Sequence, residues 1–111
     1  MIHQLKCEHG YFEDIISGKK TFEVRNNDRG FKVGDFLGIN EVEKRDESET
    51  LLPSGRCVLV EVAYILDNSA YCKPGQVIMG ITPCSIGTQK GRDMFIYPND
   101  RKILVYEGRR T

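Results

Sequence analysis

Hydrophobic and polar positions follow two rhythms along the chain, and each change of rhythm marks an element. Ile2 to Lys6 alternates, with Ile2 and Gln4 on one side and His3 and Leu5 on the other, which predicts a short strand. Over Tyr11 to Gly18 the spacing lengthens: Phe12, Ile15 and Ile16 recur at i, i+3 and i+4, one face of a short helix. Glu13 and Asp14 are expected in its first turn, where carboxylates complement the helix dipole, and Gly18 suits the left-handed residue that ends it. From Lys19 the period returns to two. Lys20, Phe22 and Val24 share one face of a predicted strand, and Thr21, Glu23 and Arg25 share the other.

Asn26 to Gly30 and Val33-Gly34-Asp35 have turn chemistry and lead into a strand at Phe36 to Ile39. The polar stretch from Glu41 to Ser54 is expected to be an exposed loop or hairpin end. Arg56 to Leu66 carries the strongest strand signal, with Val58, Val60, Val62 and Tyr64 on one face and Leu59, Glu61, Ala63 and Ile65 on the other. Apolar residues on both faces predict a central, covered strand. After a loop from Asp67 to Gly75, Val77 to Ile81 forms a further strand that Pro83 should end. Met94 to Tyr97 and Ile103 to Tyr106, separated by Pro98-Asn99-Asp100, read as a C-terminal hairpin with a frayed end at Gly108 to Thr111. The fold class is therefore mixed α/β but mainly β: a small, closed or nearly closed barrel of five to seven strands with one short N-terminal helix. Residues 1–84 form the domain and residues 85–111 a basic, hairpin-like extension of it.

Composition narrows this picture without changing it. The chain has 111 residues, 40% of them hydrophobic and 29% charged, which suits one small domain with its own core. Sixteen basic residues offset sixteen acidic ones, so the net charge is zero and bulk electrostatic binding of nucleic acid is excluded. The balance is uneven along the chain: residues 1–84 carry −3 and residues 85–111 carry +3. Locally, Lys19, Lys20, Arg25, Arg29 and Lys32 outnumber Glu23 and Asp28. No apolar run is long enough to span a bilayer and no export signal opens the chain, so a cytoplasmic location without membrane contact is expected. Cys7, Cys57, Cys72 and Cys84 are scattered and are expected to be thiols; Cys7-Glu8-His9 alone fixes no metal site, and no metal or cofactor is expected. Neither His3 nor His9 lies near a Gly-x-Ser-x-Gly signature, which leaves a serine-hydrolase reading without support.

The chemistry concentrates in Gly18-Lys19-Lys20-Thr21-Phe22-Glu23-Val24-Arg25 and the following Asn27-Asp28-Arg29. With Phe22 and Val24 expected to face the core, Lys20 would lie at a rim or in a cleft, partly desolvated and available as a base or an anion anchor. Glu23 and Arg25, two apart on one face, would present an acceptor beside a donor fork able to read a base edge. By spacing alone, an ordinary surface ion pair with Lys20 extending to water accounts for the same residues.

Gly18-x-Lys20-x-x-Glu23-x-Arg25 resembles the Gly-x-Lys-x-x-Glu-x-Arg motif of ASCH domains, a branch of the PUA-like superfamily. The likeness extends through His3-x-Leu5-Lys6, Tyr11-Phe12, Asn27-Asp28-Arg29, Phe31-x-Val33-Gly34-Asp35 and Val62-x-Tyr64-Ile65-Leu66, and over about residues 2–82 the chain resembles the DUF3850 family of small ASCH-like proteins. This resemblance implies a PUA-like barrel with a cleft where Lys20, Glu23 and Arg25 gather, an RNA or nucleotide-like ligand, and a phage or prophage setting. It makes Lys6, Lys20, Thr21, Glu23, Arg25, Asn27 and Arg29 the candidate binding residues. Some ASCH-like proteins are amidohydrolases of acetylated cytidine-type nucleosides, with a catalytic Lys matching Lys20 and a Thr where this chain has Glu23. On that alternative Lys20 is the base and Glu23 assists proton transfer, although their opposite strand parity requires a bulge or twist. A third alternative is a phage-borne protein-interaction factor using the acidic loop from Glu41 to Glu49 and the basic tail from Ser85. Tyr71, Tyr97 and Tyr106 could stack bases but read more readily as packing.

Overall fold

The computed structural model describes residues 1–44, 50–89, 93–98 and 105–107. β1 (Ile2–Glu8) alternates as its sequence requires, turning His3, Leu5 and Cys7 inward. α1 (His9–Ile16) buries Phe12 and Ile15, and its end is closed by Ser17 N–H and Gly18 N–H donating to the carbonyls of Glu13 and Ile15. Gly18 takes the expected left-handed conformation at φ +81°. The helix begins two residues before Tyr11, so Glu13 and Asp14 lie beyond its first turn, where the dipole effect has faded. Glu13 is instead held by Arg56.

β2 (Phe22–Asn26), β3 (Phe36–Lys44), β4 (Leu51–Leu66) and β5 (Gln76–Gln89) complete a sheet of order β1-β3-β4-β5-β2. β1 and β3 are parallel; the other neighbours are antiparallel. The sheet curls strongly into a half-barrel around Leu5, Phe12, Ile15, Leu37, Ile39, Val58, Val60, Val62, Val77 and Met79. The mainly β class, the early helix and the barrel curvature are as the pattern predicts. β4 is central, with Val58, Leu59 and Val60 all buried.

Several sequence expectations give way to long-range pairing. The polar stretch from Glu41 to Ser54 is largely strand: Glu41–Lys44 extends β3, Leu51–Ser54 opens β4, and residues 45–49 lie outside the described residues. Glu41 is buried rather than exposed because Arg56, on the neighbouring strand, neutralises it. Pro83 does not end β5. It falls where pairing passes from β4 to β6 (Asp93–Pro98), so a missing N–H is tolerated there. Among the described residues the C-terminal segments pair elsewhere than with each other: β6 pairs with β5, and β7 (Val105–Glu107) adds to β4 at Arg56–Val58, while Ile103 and Leu104 lie outside the described residues. The expected turn at residues 99–100 and the frayed end at 108–111 lie outside the described residues.

The face assignment of β2 is reversed. Glu23 is buried, whereas Phe22 and Val24 are each 44% exposed. Both faces of this strand mix apolar and charged groups, so alternation alone does not choose between them. The register does: Glu23 lies opposite the fully buried Met79, and Phe22 opposite Gly80. Tyr64 likewise leaves the face it was expected to share with Val62, because a register shift between the two turns it outward.

Candidate functional site

β1 and β2 are the two ends of the sheet order, and among the described residues no backbone ladder joins them. Side chains span the seam instead. Arg25 Nη2 donates to the carbonyl of Lys6 at 2.8 Å, and Arg29 Nη1 donates to the carbonyl of Gln4 at 2.7 Å. The edge carbonyls of β1 thus find donors, and the curled sheet is laced shut by two guanidinium groups.

Above this seam lies a cleft of about 640 Å³, lined by residues of β1 (Lys6, Cys7, Glu8), α1 (Tyr11, Asp14), the approach to β2 (Lys19, Lys20) and β2 itself (Phe22 to Arg25). Its volume is in the range of small-molecule sites. Glu23 reaches inward from β2 with only 3% of its side chain exposed. Lys20 Nζ donates to Glu23 Oε1 at 2.5 Å and Arg25 Nε donates to Glu23 Oε2 at 2.9 Å, so both carboxylate oxygens are engaged by cations. Lys20 precedes the strand, where Lys20 N–H is bonded to the carbonyl of Asp14, so the pleat does not dictate its side-chain direction. This resolves the parity difficulty: the ammonium turns in to meet Glu23 without a bulge in β2. It also lies 5.3 Å from the Phe22 ring centre and 6.0 Å from that of Tyr11, within cation–π range of two aromatic walls.

Of the residues singled out by sequence, the fold brings Lys6, Lys20, Glu23 and Arg25 to the cleft. Thr21 is exposed and lies outside its lining; its carbonyl accepts from Ile81 N–H. Asn27 Oδ1 accepts from Phe31 N–H and so braces the turn after β2, while Arg29 serves the seam. Cys7, Glu8, Tyr11, Asp14, Lys19, Phe22 and Val24 line the cleft without having been among the candidates from sequence. Tyr11 was legible only as the neighbour of Phe12, pointing off the buried helix face. Burial, and secondarily the Glu23 charge, push the Cys7 thiol up to about 11, so it is a neutral part of the cleft wall.

A second polar cluster lies where α1 meets β3 and β4. Arg56 Nε and Nη2 donate to the two oxygens of Glu41 at 2.9 and 2.8 Å, Nη2 also donates to Glu13 Oε1, and His9 Nδ1 lies 2.6 Å from Glu41 Oε2. The Arg56 guanidinium beside it, together with Ser54 and His9, holds the Glu41 carboxyl down to about 2. His9, Glu41 and Glu43 also bring three donor atoms within 4.8 Å of one another, but Arg56 already supplies the positive charge that a cation would bring to Glu41. The cluster is best understood as the lock that docks the helix. Among the described residues no helix is long and apolar enough to cross a membrane. The four cysteines are free thiols.

Two comparisons place the chain among known sequences. The family described as "Domain of unknown function (DUF3850)" matches residues 2–81. An uncharacterized 12.9 kDa protein in the GpA 3' region of Escherichia phage P2 is 25% identical over 109 residues, covering 95% of this chain and 94% of that protein.

Proposed function

The chain belongs to the DUF3850 family, and from that premise we propose that it is an ASCH-like binding module for RNA or a modified nucleotide, with the seam cleft as its binding site. The observation that carries this reading is the Lys20–Glu23–Arg25 cluster. A buried carboxylate held by two cations is weak support for stability, because desolvation offsets much of the attraction. Here the cluster borders an open cleft between Tyr11 and Phe22. Aromatic walls suit a heterocyclic ring, Glu23 is an acceptor for an exocyclic amino group, and Lys6, Lys19 and Lys20 offer charge to a phosphate. Three acidic lining residues, Glu8, Asp14 and Glu23, keep the site from being a general polyanion sink, which agrees with the zero net charge.

The test is binding of labelled short RNAs and nucleotides, acetylated cytidine included, by the parent protein and by Lys20→Ala. The expected result is measurable affinity that falls on substitution while the circular dichroism spectrum is retained. Equal affinity of the two proteins across the panel, or none for either, overturns the reading. The direct Lys20–Glu23 contact at 2.5 Å also brings an amine and a carboxylate together beside the cleft, which favours a second reading, hydrolysis of an amide on a nucleoside. Lys20-dependent release of acetate from N4-acetylcytidine supports it; its absence with a bound nucleoside leaves binding alone. A protein-interaction role would draw on Glu41 to Glu49 and the basic tail from Ser85; Glu41 to Lys44 belong to β3, and residues 45–49, 90–92, 99–104 and 108–111 lie outside the described residues.

A further inference from the structure

One row of the sheet, outside the cleft lining except at Phe22, is built in a way the fold does not require. Phe22 of β2 lies opposite Gly80 of β5, and Gly80 lies opposite Tyr64 of β4. Directly opposed residues of antiparallel strands project to the same face. The row is therefore aromatic, glycine, aromatic on the outer surface, with Phe22 44% and Tyr64 65% exposed. Tyr64 reaches that surface only because of the register shift after Val62; without it the ring would follow Val62 into the core. Bulges that re-aim a side chain are over-represented beside functional sites.

Gly80 completes the case. A glycine inside a strand weakens it and needs a reason. Its backbone is not among the left-handed glycines, and a Cβ placed there would come no nearer than 3.4 Å to Tyr64 Cβ, an ordinary contact. Neither conformation nor packing demands glycine. What its missing side chain leaves is a partly exposed stretch of backbone, a slot between two strands that each carry an exposed aromatic residue. Strands lie about 4.8 Å apart, so the strands bearing the two aromatic residues flank Gly80 at about that distance on either side. The other side of this arrangement is the cleft, for Phe22 is also its wall and holds Lys20 Nζ at 5.3 Å.

We propose that Phe22, Gly80 and Tyr64 form a second, base-stacking subsite, so that the ligand is a single-stranded oligonucleotide segment with one base in the cleft and a neighbouring base in the slot. This rests on the nucleotide reading of the cleft and deepens it. The experiment exploits the absence of tryptophan in the chain. Tyr64→Trp introduces a single fluorescent reporter, which is titrated with tetra- to octanucleotides of RNA and of DNA of the same sequence; quenching by either supports the slot. In parallel, Tyr64→Ala and Gly80→Val are compared with the parent and with Lys20→Ala by anisotropy of labelled oligonucleotides, with urea melts reporting folding. Tyr64→Ala is expected to weaken oligonucleotide binding about tenfold or more, as loss of one stacked base does. Gly80→Val is expected to block the slot to a similar extent, with the urea melt showing that the variant is folded where binding is measured. If both variants bind as the parent does while Lys20→Ala is weakened, the slot is overturned and the cleft stands. Should Tyr64→Ala and Gly80→Val lose binding while Lys20→Ala retains it, the cleft reading is overturned and with it the two-base ligand, the slot alone accounting for binding. No binding of any oligonucleotide by the folded parent overturns both.

Discussion

Arg25 Nη2 bonds the backbone carbonyl of Lys6 at 2.8 Å, so one side chain both closes the gap between the sheet's two edge strands and, through its Nε, holds Glu23 in the cleft. Fold closure and site geometry are thus coupled through a single guanidinium. Arg29, bonded to the carbonyl of Gln4, repeats the closure one step along β1 without touching Glu23. The two arginines allow structure and site to be tested separately.

Arg29→Ala is expected to lower stability by about 1 kcal/mol, the worth of a charge-assisted hydrogen bond reduced by solvent screening at an exposed position. Its effect on the cleft should be small. Urea denaturation gives the first quantity; amide exchange in β1, faster in the variant, locates the loss. An unchanged midpoint together with unchanged exchange argues that the seam is held by packing alone.

Glu23→Gln keeps the shape of the side chain but replaces one acceptor oxygen with an amide donor, so either Lys20 or Arg25 loses its partner. The expected loss is about 2 kcal/mol, since an unpaired hydrogen bond to a charged group is among the larger single-group terms. A variant as stable as the parent would show that desolvation of the carboxylate cancels its two ion pairs.

Thiol reactivity provides a third check. Burial is the leading cause that pushes both Cys7 and Cys84 up to about 11, with Glu23 adding to the effect at Cys7 and Glu61 at Cys84. In native protein at pH 8, iodoacetamide should leave both unmodified, while the urea-unfolded chain is alkylated at all four cysteines. Mass spectrometry of the peptides reads the outcome. Rapid native modification of Cys7 would mean that the cleft wall opens.

The helix lock makes stability depend on pH from both sides. Glu41 is held down to about 2 from an ordinary 4.5, so its contribution is complete above about pH 4.5 and is lost as the pH falls towards 2. A shift of that size corresponds to roughly 3 kcal/mol. His9 is raised above its usual 6.5 by its hydrogen bond to Glu41, so its smaller contribution is complete below about pH 6.5 and is lost as the pH rises through the folded value. Both are in full effect between about pH 4.5 and 6.5. Thermal melts across pH should show His9→Ala flattening the alkaline limb and weakening the acid-side dependence only in part, whereas Arg56→Met, which removes the leading cause of the Glu41 shift, reduces the acid-side dependence most. A His9→Ala profile that parallels the parent throughout removes the histidine from this account.

By itself the sequence determined what is local. The helix over Phe12, Ile15 and Ile16, its stop at Gly18, the strand periods and the dense Lys20 to Arg25 segment follow from side-chain spacing and backbone preference, which act within a few residues. What the tertiary structure alone decided is which way those periods face and what closes the sheet. A strand of period two has no intrinsic inside when both faces mix apolar and charged groups, so only pairing with Met79 and Gly80 shows that Glu23 is buried and Phe22 is not. The same holds for Glu41, which reads as loop until Arg56 is brought beside it, and for Tyr64, which a single register shift moves from core to surface. Each of these depends on contacts more than ten residues apart in the chain, and such contacts leave no imprint on local spacing.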